Sequence, residues 1–482
     1  IAIYRSLINE KNGEVIDNKN PSEKLGSIEA KDLKKGKTTF KIKCDGKLDK
    51  GDNHLWVSVT PAAKASLNRF IELSVTAVRT GSKKKLKVSK ASCKQRIGYA
   101  ITVPNYEVSI LKPGSKRVIQ TRTSKYSRIP GLTCTKKGTL IATFDNRYHH
   151  NGDLPADIDV AISRSTDGGK SWSAVTTCIA ARDLEGIGRG VGDPAILLDE
   201  SNNRIWIASL ASPKTGHPIW KSEVGTASPE KCGQFILAYS DDEGITWSKP
   251  INITKSVKRL KDSDTAKWGL VYQGPGNGIC MRNGTLVFPA QIWGHKGKGS
   301  HWGLLVYSKD NGKTWTSSKA MKFGGSESQV AELSDGSLML TTREGIWGWR
   351  QVGVTKDMGE TWKKHDSVNT EKGRLRSMRC QACLISIFNQ KSGKKGYKFG
   401  KKTKHALFFS NPNAKSRREM TLKVSTDDGD TWSKGLLYDQ RNGMGYSAIY
   451  PINKKYMGVF YESQGHYLQF LKVPYKEIFE AK

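Results

Sequence analysis

The chain lacks any apolar run approaching the roughly 20 residues that span a bilayer as a helix, which excludes an ordinary membrane-spanning helix. It also lacks a sustained apolar rhythm at i, i+3 and i+4, so long helices are not expected. Acidic residues are in the minority: 45 Asp and Glu stand against 79 Lys and Arg, a formal net charge of +34 over 482 residues. A field of that sign draws anionic partners and speeds encounter with them. Nucleic acid and acidic glycans both qualify. Lysines cluster at Lys83 to Lys87 and in KSGKKGYKFGKKTKH, 391–405, but no nucleic-acid motif or aromatic-rich basic groove accompanies them, so no nucleic-acid partner is expected. The eight cysteines (Cys44, Cys93, Cys134, Cys178, Cys232, Cys280, Cys380 and Cys383) are scattered, with one C-x-x-C at the end. With no second zinc-ligand pair and no thioredoxin-like βαβ pattern, Cys380 and Cys383 read as a buried structural pair. The chain opens at Ile1 with neither an initiator Met nor a signal peptide. That is the pattern of a processed export product, and a secreted, periplasmic or cell-surface location is expected.

What is present is a repeat. STDGGKSW, SDDEGITW, SKDNGKTW, TKDMGETW and STDDGDTW end at Trp172, Trp247, Trp315, Trp362 and Trp432, at intervals of 47 to 75 residues. Each reads Ser/Thr-x-Asp-x-Gly-x-Ser/Thr-Trp, and a fixed pattern recurring at such spacing marks one copied supersecondary unit. Each copy follows a short apolar strand: DVAISR, FILAYS, GLLVYS, QVGVTK and MTLKVS. The Gly supplies the positive φ of a tight hairpin turn. The Asp carboxylate and Ser/Thr hydroxyl are placed to satisfy the turn's own N–H groups. The Trp is placed as an apolar anchor. A calcium loop would need several carboxylates at alternating positions, and only the last copy approaches that.

Hairpin corners, many short strands and 48 Gly predict an all-β, radially repeated fold, a propeller of four-stranded blades. The first four units fall between about residues 115 and 365, and strands around YMGVFYES and YLQFLKVP complete a sixth blade. All five boxes follow residue 160. Residues 1–105, which alternate like strands, are therefore expected to form a separate small β-sandwich that binds glycan or braces the rest. Residues 106–482 are expected to form a six-bladed propeller.

A propeller specifies no chemistry. The distinguishing residues stand around the boxes: SRIPGL with Arg128, then GTLIATFDNRYHHNGD with Arg147 and Asp153, all ahead of the first box. Arg-Ile-Pro-Gly followed by Asp boxes resembles the bacterial exo-α-sialidases (neuraminidases) of glycoside hydrolase family 33, over about residues 95 to 470. The resemblance implies three arginines that clamp a substrate carboxylate: Arg128, Arg343 at the end of SESQVAELSDGSLMLTTR, and Arg417 in FFSNPNAKSRREM, with Arg418 as the adjacent alternative. The guanidinium suits the task, being planar, always charged and matched to a carboxylate by paired donors. The resemblance further implies Asp153 as acid and then base, while Asp157 and Asp159 are nearby carboxylates and Asp159 is expected to be structural. It implies Tyr446 in NGMGYSAI as nucleophile, Glu327 as its partner base, and Glu462 in FYESQG as a brace for Arg128. Arg147 and Asp193 are implied to line the sugar pocket. Gln273 and the 209–231 loop, with His217 and Trp220, are further pocket candidates.

A tyrosine nucleophile has a physical reason. The anomeric carbon of a sialic acid carries a carboxylate that repels an ionised Asp or Glu, whereas a phenol is neutral. With a pKa of about 10 it needs a base beside it. The expectation is a retaining sialidase acting on sialylated glycans, with no metal and no cofactor. A trans-sialidase, including the intramolecular kind, shares every one of these residues. A non-catalytic glycan-binding propeller would be expected to lack Tyr446, Glu327 or Asp153, and all three are present.

Overall fold

The five repeats fold as one and the same turn. In the first, the Asp167 carboxylate accepts the N–H groups of Lys170 and Ser171 at 2.9 and 3.0 Å and the Ser171 hydroxyl at 2.6 Å. The Ser165 hydroxyl donates to Asp167 at 2.8 Å and accepts the Gly169 N–H at 2.9 Å. Asp242, Asp310, Asp357 and Asp427 repeat the arrangement. The glycine is required at this position. In the third copy Gly312 has φ +83°, and a Cβ there would lie 2.2 Å from the Trp206 ring. The tryptophans reach further than their own hairpins: Trp172 packs edge-on against Phe470 at 5.1 Å, and Trp315 against Trp206 at 5.6 Å. Both partners belong to neighbouring strand groups.

The computed structural model describes residues 1–5, 23–29, 39, 41–45, 55–59, 70–86, 92–261, 267–294, 301–344, 348–388, 405–443, 445–464 and 467–481. Lys87 and the basic stretch 391–404 lie outside the described residues. The chain divides into two compact units, Ile1–Ser66 and Leu67–Lys482. The first contains a three-stranded sheet of Ala2–Arg5 between Glu23–Ser27 and Leu55–Ser58. The division falls ahead of the boundary read near residue 105. Strand Tyr99–Thr102 pairs with Leu468–Pro474 inside the second unit, and Phe70–Ser74 pairs with Ser92–Arg96.

The second unit is all-β and propeller-like. Successive antiparallel groups follow one another along the chain. Tyr126–Cys134, Leu140–Arg147, Ile158–Ser165 and Val175–Ile179 pair in order. Ile187–Leu198, Ile205–Pro213, Gln234–Ser240 and Ile251–Asn252 do the same, and a parallel contact joins them to the first group in one 11-stranded sheet. Four separate sheets follow, built on Leu286–Trp293, on Leu338–Thr342, on His405–Pro412 and on Tyr456–Glu462. Tyr99–Thr102, from early in the chain, completes the last of them. Apolar clusters fill the space between neighbouring groups, as where Phe144 and Leu132 meet Phe460 and Phe470.

Several outer strands are short, two residues each at Ile251–Asn252, Thr316–Ser317 and Lys363–Lys364. Lys363–Lys364 forms an entire exposed edge strand, and such charge discourages edge-to-edge pairing. Among the described residues the helices are short, Thr254–Lys258 and Tyr475–Glu480, and none is long and apolar enough to cross a membrane. Cys380 and Cys383 are both buried.

In the exposed boxes, hydroxyl and N–H donors from Thr314 and Thr361 hold the Asp310 and Asp357 carboxyls at about 2. The stability attached to these groups is present above the unfolded carboxylate range and lost as pH falls toward 2. Asp242→Ala, in a partly buried box, is expected to cost about 1 kcal/mol, read as a shifted urea midpoint. An unchanged midpoint would mean that the turn holds without its carboxylate.

Candidate active site

The first group's inner strand breaks its own ladder. Between Arg128 and Gly131 the register slips, and Ile129 adopts φ +63°, a conformation rare for a β-branched side chain and costing of order 1–3 kcal/mol. The slip turns the Ile129 N–H away from the sheet and onto Glu462 Oε1 at 2.9 Å. Arg128 Nε donates to the same oxygen at 3.0 Å, and the Tyr446 N–H to Oε2 at 3.1 Å. Glu462 is 2% exposed, and a carboxylate so buried is tolerable only because its oxygens are met by donors and a guanidinium.

Tyr446 follows Gly445, whose φ of +85° and packing against Pro412, Cys380 and Arg417 leave no room for a side chain. The Tyr446 ring is buried with Ile129 and Cys380. Its hydroxyl donates to Glu327 Oε1 in a short hydrogen bond, and Arg343 Nη1 donates to the hydroxyl at 3.0 Å. Arg343 Nη1 also pairs with Glu327 Oε2 at 2.8 Å. The guanidinium carbons of Arg128 and Arg417 lie 5.0 and 5.6 Å from the ring centroid. Arg418 instead pairs with Glu419 at 3.7 Å. Burial first, then Glu327, pushes the Tyr446 phenol well above its ordinary value, with Arg343 and Arg128 pulling the other way. The phenol is therefore protonated at rest, with a carboxylate positioned to take its proton.

The other wall descends from strand Leu140–Arg147. Arg147, 1% exposed, pairs through Nη2 with Asp145 at 2.9 Å and through Nη1 with Asp153 at 2.8 Å. Asp153 also lies 3.3 Å from Arg128 Nη1, and its side chain is 68% exposed. Partial burial raises the Asp153 carboxyl, but Arg147 and Arg128 outweigh that and hold it below the usual carboxylate range. Asp193, at φ +56°, donates its N–H to Asp145 Oδ1 at 2.8 Å. Burial, Asp145 and Asp153 push its own carboxyl well up.

Not every candidate comes to this cluster. Gln273 is fully buried and donates to the Asp193 carbonyl, so it meets the cluster through the Asp193 backbone. Trp220 is 43% exposed, and His217 Nδ1 lies 3.1 Å from the Pro218 carbonyl of its own loop. Asp159 is structural, accepting the Tyr148 hydroxyl at 2.7 Å and the Ala181 N–H at 2.8 Å. Asp157 pairs with Arg122 and His149. No group of carboxylates, histidines and cysteines suited to a metal ion occurs among the described residues.

Asp145 was not anticipated. It sits two residues before Arg147 and so shares its face of the strand, which is the signal that could have found it. Burial raises its carboxyl to about 6 against the pull of Arg147. Asp145→Asn leaves Arg147 without its buried partner and is expected to lower unfolding free energy by about 3–5 kcal/mol. A loss below about 1 kcal/mol in chemical denaturation would show that Asp153 alone compensates Arg147.

Residues 138–459 match the family described as BNR repeat-like domain, and residues 9–84 match the N-terminal domain of BNR-repeat neuraminidase. A sialidase of Bacteroides fragilis is 35% identical over 477 residues, covering 96% of this chain and 81% of that protein. A Clostridium perfringens sialidase is 31% identical over 71% of this chain and 87% of its own length. Among solved structures, the Hadza microbial sialidase Hz136 superposes with a TM-score of 0.73 at 35% identity, covering 88% of this chain and 77% of that one. Repeats, fold and relatives agree, and the chain belongs to the bacterial sialidase (neuraminidase) family.

Proposed function

We propose that this chain is a retaining exo-α-sialidase that releases terminal sialic acids through a covalent sialyl-tyrosine intermediate. One observation carries the reading. The Tyr446 hydroxyl is bonded to Glu327 and Arg343, while Arg128 and Arg417 flank its ring. Arg128, Arg343 and Arg417 would hold the substrate carboxylate and so set the anomeric carbon over the phenol. Tyr446 oxygen attacks that carbon and passes its proton to Glu327, as Asp153 protonates the departing glycosidic oxygen. In the second half Asp153 takes a proton from water, water attacks, and Tyr446 leaves and regains its proton from Glu327. Two inversions give net retention.

At rest Asp153 shares Arg128 with no ligand. A substrate carboxylate on Arg128 would take over that guanidinium and weaken its hold on Asp153, leaving Arg147. The Asp153 carboxyl would then rise from its depressed resting position toward that of a usable acid.

The scaffold is read as a six-bladed propeller, with the 11-stranded sheet supplying two blades and the four separate sheets the rest. The N-terminal region is read as a β-sandwich that binds glycan or braces the propeller, and the natural setting as secreted or cell-surface. The substrates would be sialylated mucins, glycoproteins or gangliosides. Transfer to a sugar acceptor, or internal closure to an anhydro sugar, would use the same residues, and mass spectrometry of the products separates these outcomes.

Tyr446→Phe is expected to keep its fold and lose turnover of a fluorogenic sialoside by orders of magnitude. Retention of more than about a tenth of the activity would remove Tyr446 from its role. Because kcat/KM reports the free enzyme and kcat the complex, the basic limb set by Asp153 is expected at higher pH in kcat than in kcat/KM. Coincident limbs would mean that substrate leaves the Asp153 ion pairs intact.

A further inference from the structure

Arg350 is one of the largest fully buried side chains, 1% exposed, and it belongs to none of the roles above. Among the described residues its four hydrogen bonds go to neutral oxygens: Nε to Thr341 Oγ1 at 2.9 Å, Nη1 to the Cys380 carbonyl at 3.3 Å, and Nη2 to the carbonyls of Glu327 at 3.2 Å and Thr341 at 3.4 Å. A buried guanidinium without a bonded carboxylate is costly to keep. A neutral side chain could fill the same space, so the cation calls for a reason.

Its partners supply one. The Glu327 carbonyl that accepts Arg350 also accepts the Arg343 N–H at 2.9 Å. Thr341 lies on strand Leu338–Thr342, which leads directly into Arg343. Cys380 packs beneath the Tyr446 ring with Ile129, and the carbonyl of its neighbour Arg379 accepts Arg417 Nη2 at 2.7 Å. One planar group with fixed donors therefore spans the backbone under the base, under one carboxylate-binding arginine, and under the segment that supports both the nucleophile and another such arginine.

We propose that Arg350 is a positioning residue for catalysis, a buried guanidinium that fixes Glu327 and Arg343 relative to Tyr446 and Arg417. The role rests on the sialidase reading. It follows from geometry: a fork holds three backbone carbonyls at set angles, which neither an ammonium nor an apolar chain reproduces. The guanidinium's charge acts in the same place. Burial lowers its pKa to about 10, against the opposing pull of Glu327 and Glu344, so it remains a cation at working pH. Misplacement of reacting groups by about 1 Å can cost on the order of 100-fold in rate.

The test separates positioning from mere structural support. Full-length wild type, Arg350→Lys and Arg350→Met would be titrated with a 3-fluorosialyl fluoride to count competent sites. Turnover of a fluorogenic sialoside would then be measured per titrated site. Positioning predicts kcat per site about 100-fold lower in Arg350→Met and at least about tenfold lower in Arg350→Lys, with KM changed far less. A structural role alone would reduce the number of sites and leave kcat per site within about twofold of wild type, and that result would overturn the proposal. If Arg350→Met does not fold, Arg350→Lys decides by the same criterion. A wild type that neither titrates nor turns over would instead overturn the sialidase reading, and this role with it.

Discussion

One buried carboxylate holds the site together. Glu462 accepts donors from Arg128, Ile129 and Tyr446, and these come from opposite ends of the propeller-like unit: the first group's inner strand and the last group. The same last sheet is completed by Tyr99–Thr102. The contact that joins the two ends of this unit is thus also the contact that brings Arg128 to Tyr446. The strained Ile129 is explained by it, since only the slipped register aims that N–H at the carboxylate. Binding energy concentrated in one buried group makes fold and site interdependent.

Around this clasp the charges alternate. Arg128 touches Glu462 and Asp153, Arg147 touches Asp153 and Asp145, and Arg343 touches Glu327. Guanidiniums gathered this closely repel one another unless anions stand between them. Acidic neighbours do this at rest, and Asp153 is the exposed one, free to yield its place. Preorganisation of this kind spares the site from rearranging as charge develops. The +34 net charge is a longer-range matter, a field that attracts anions in general.

Much of this was legible in the sequence because the repeats set a register. A turn motif that satisfies its own polar groups is local, so the pattern and the folded corner coincide at Asp167 as at Asp427. Counted from those corners, Arg128, Arg343, Arg417 and Glu327 can be picked out in the sequence, and the structure gathers them around Tyr446. What escaped was non-local. Tyr99–Thr102 bonds a strand more than 360 residues away, which no local signal announces. The bond from Gln273 to the Asp193 carbonyl, 80 residues apart, is likewise invisible to a local reading. Arg350 carries no motif, because its meaning lies in three carbonyls contributed by separate segments.

The central claim is that Tyr446 forms the covalent bond to the sugar. The most direct measurement is peptide mapping by mass spectrometry after reaction with a 3-fluorosialyl fluoride, which slows breakdown of the intermediate. The account predicts one fluorosialyl adduct, on the peptide that contains Tyr446 and absent from Tyr446→Phe. An adduct on Asp153 or Glu327, or turnover with inverted product and no adduct at all, would contradict it.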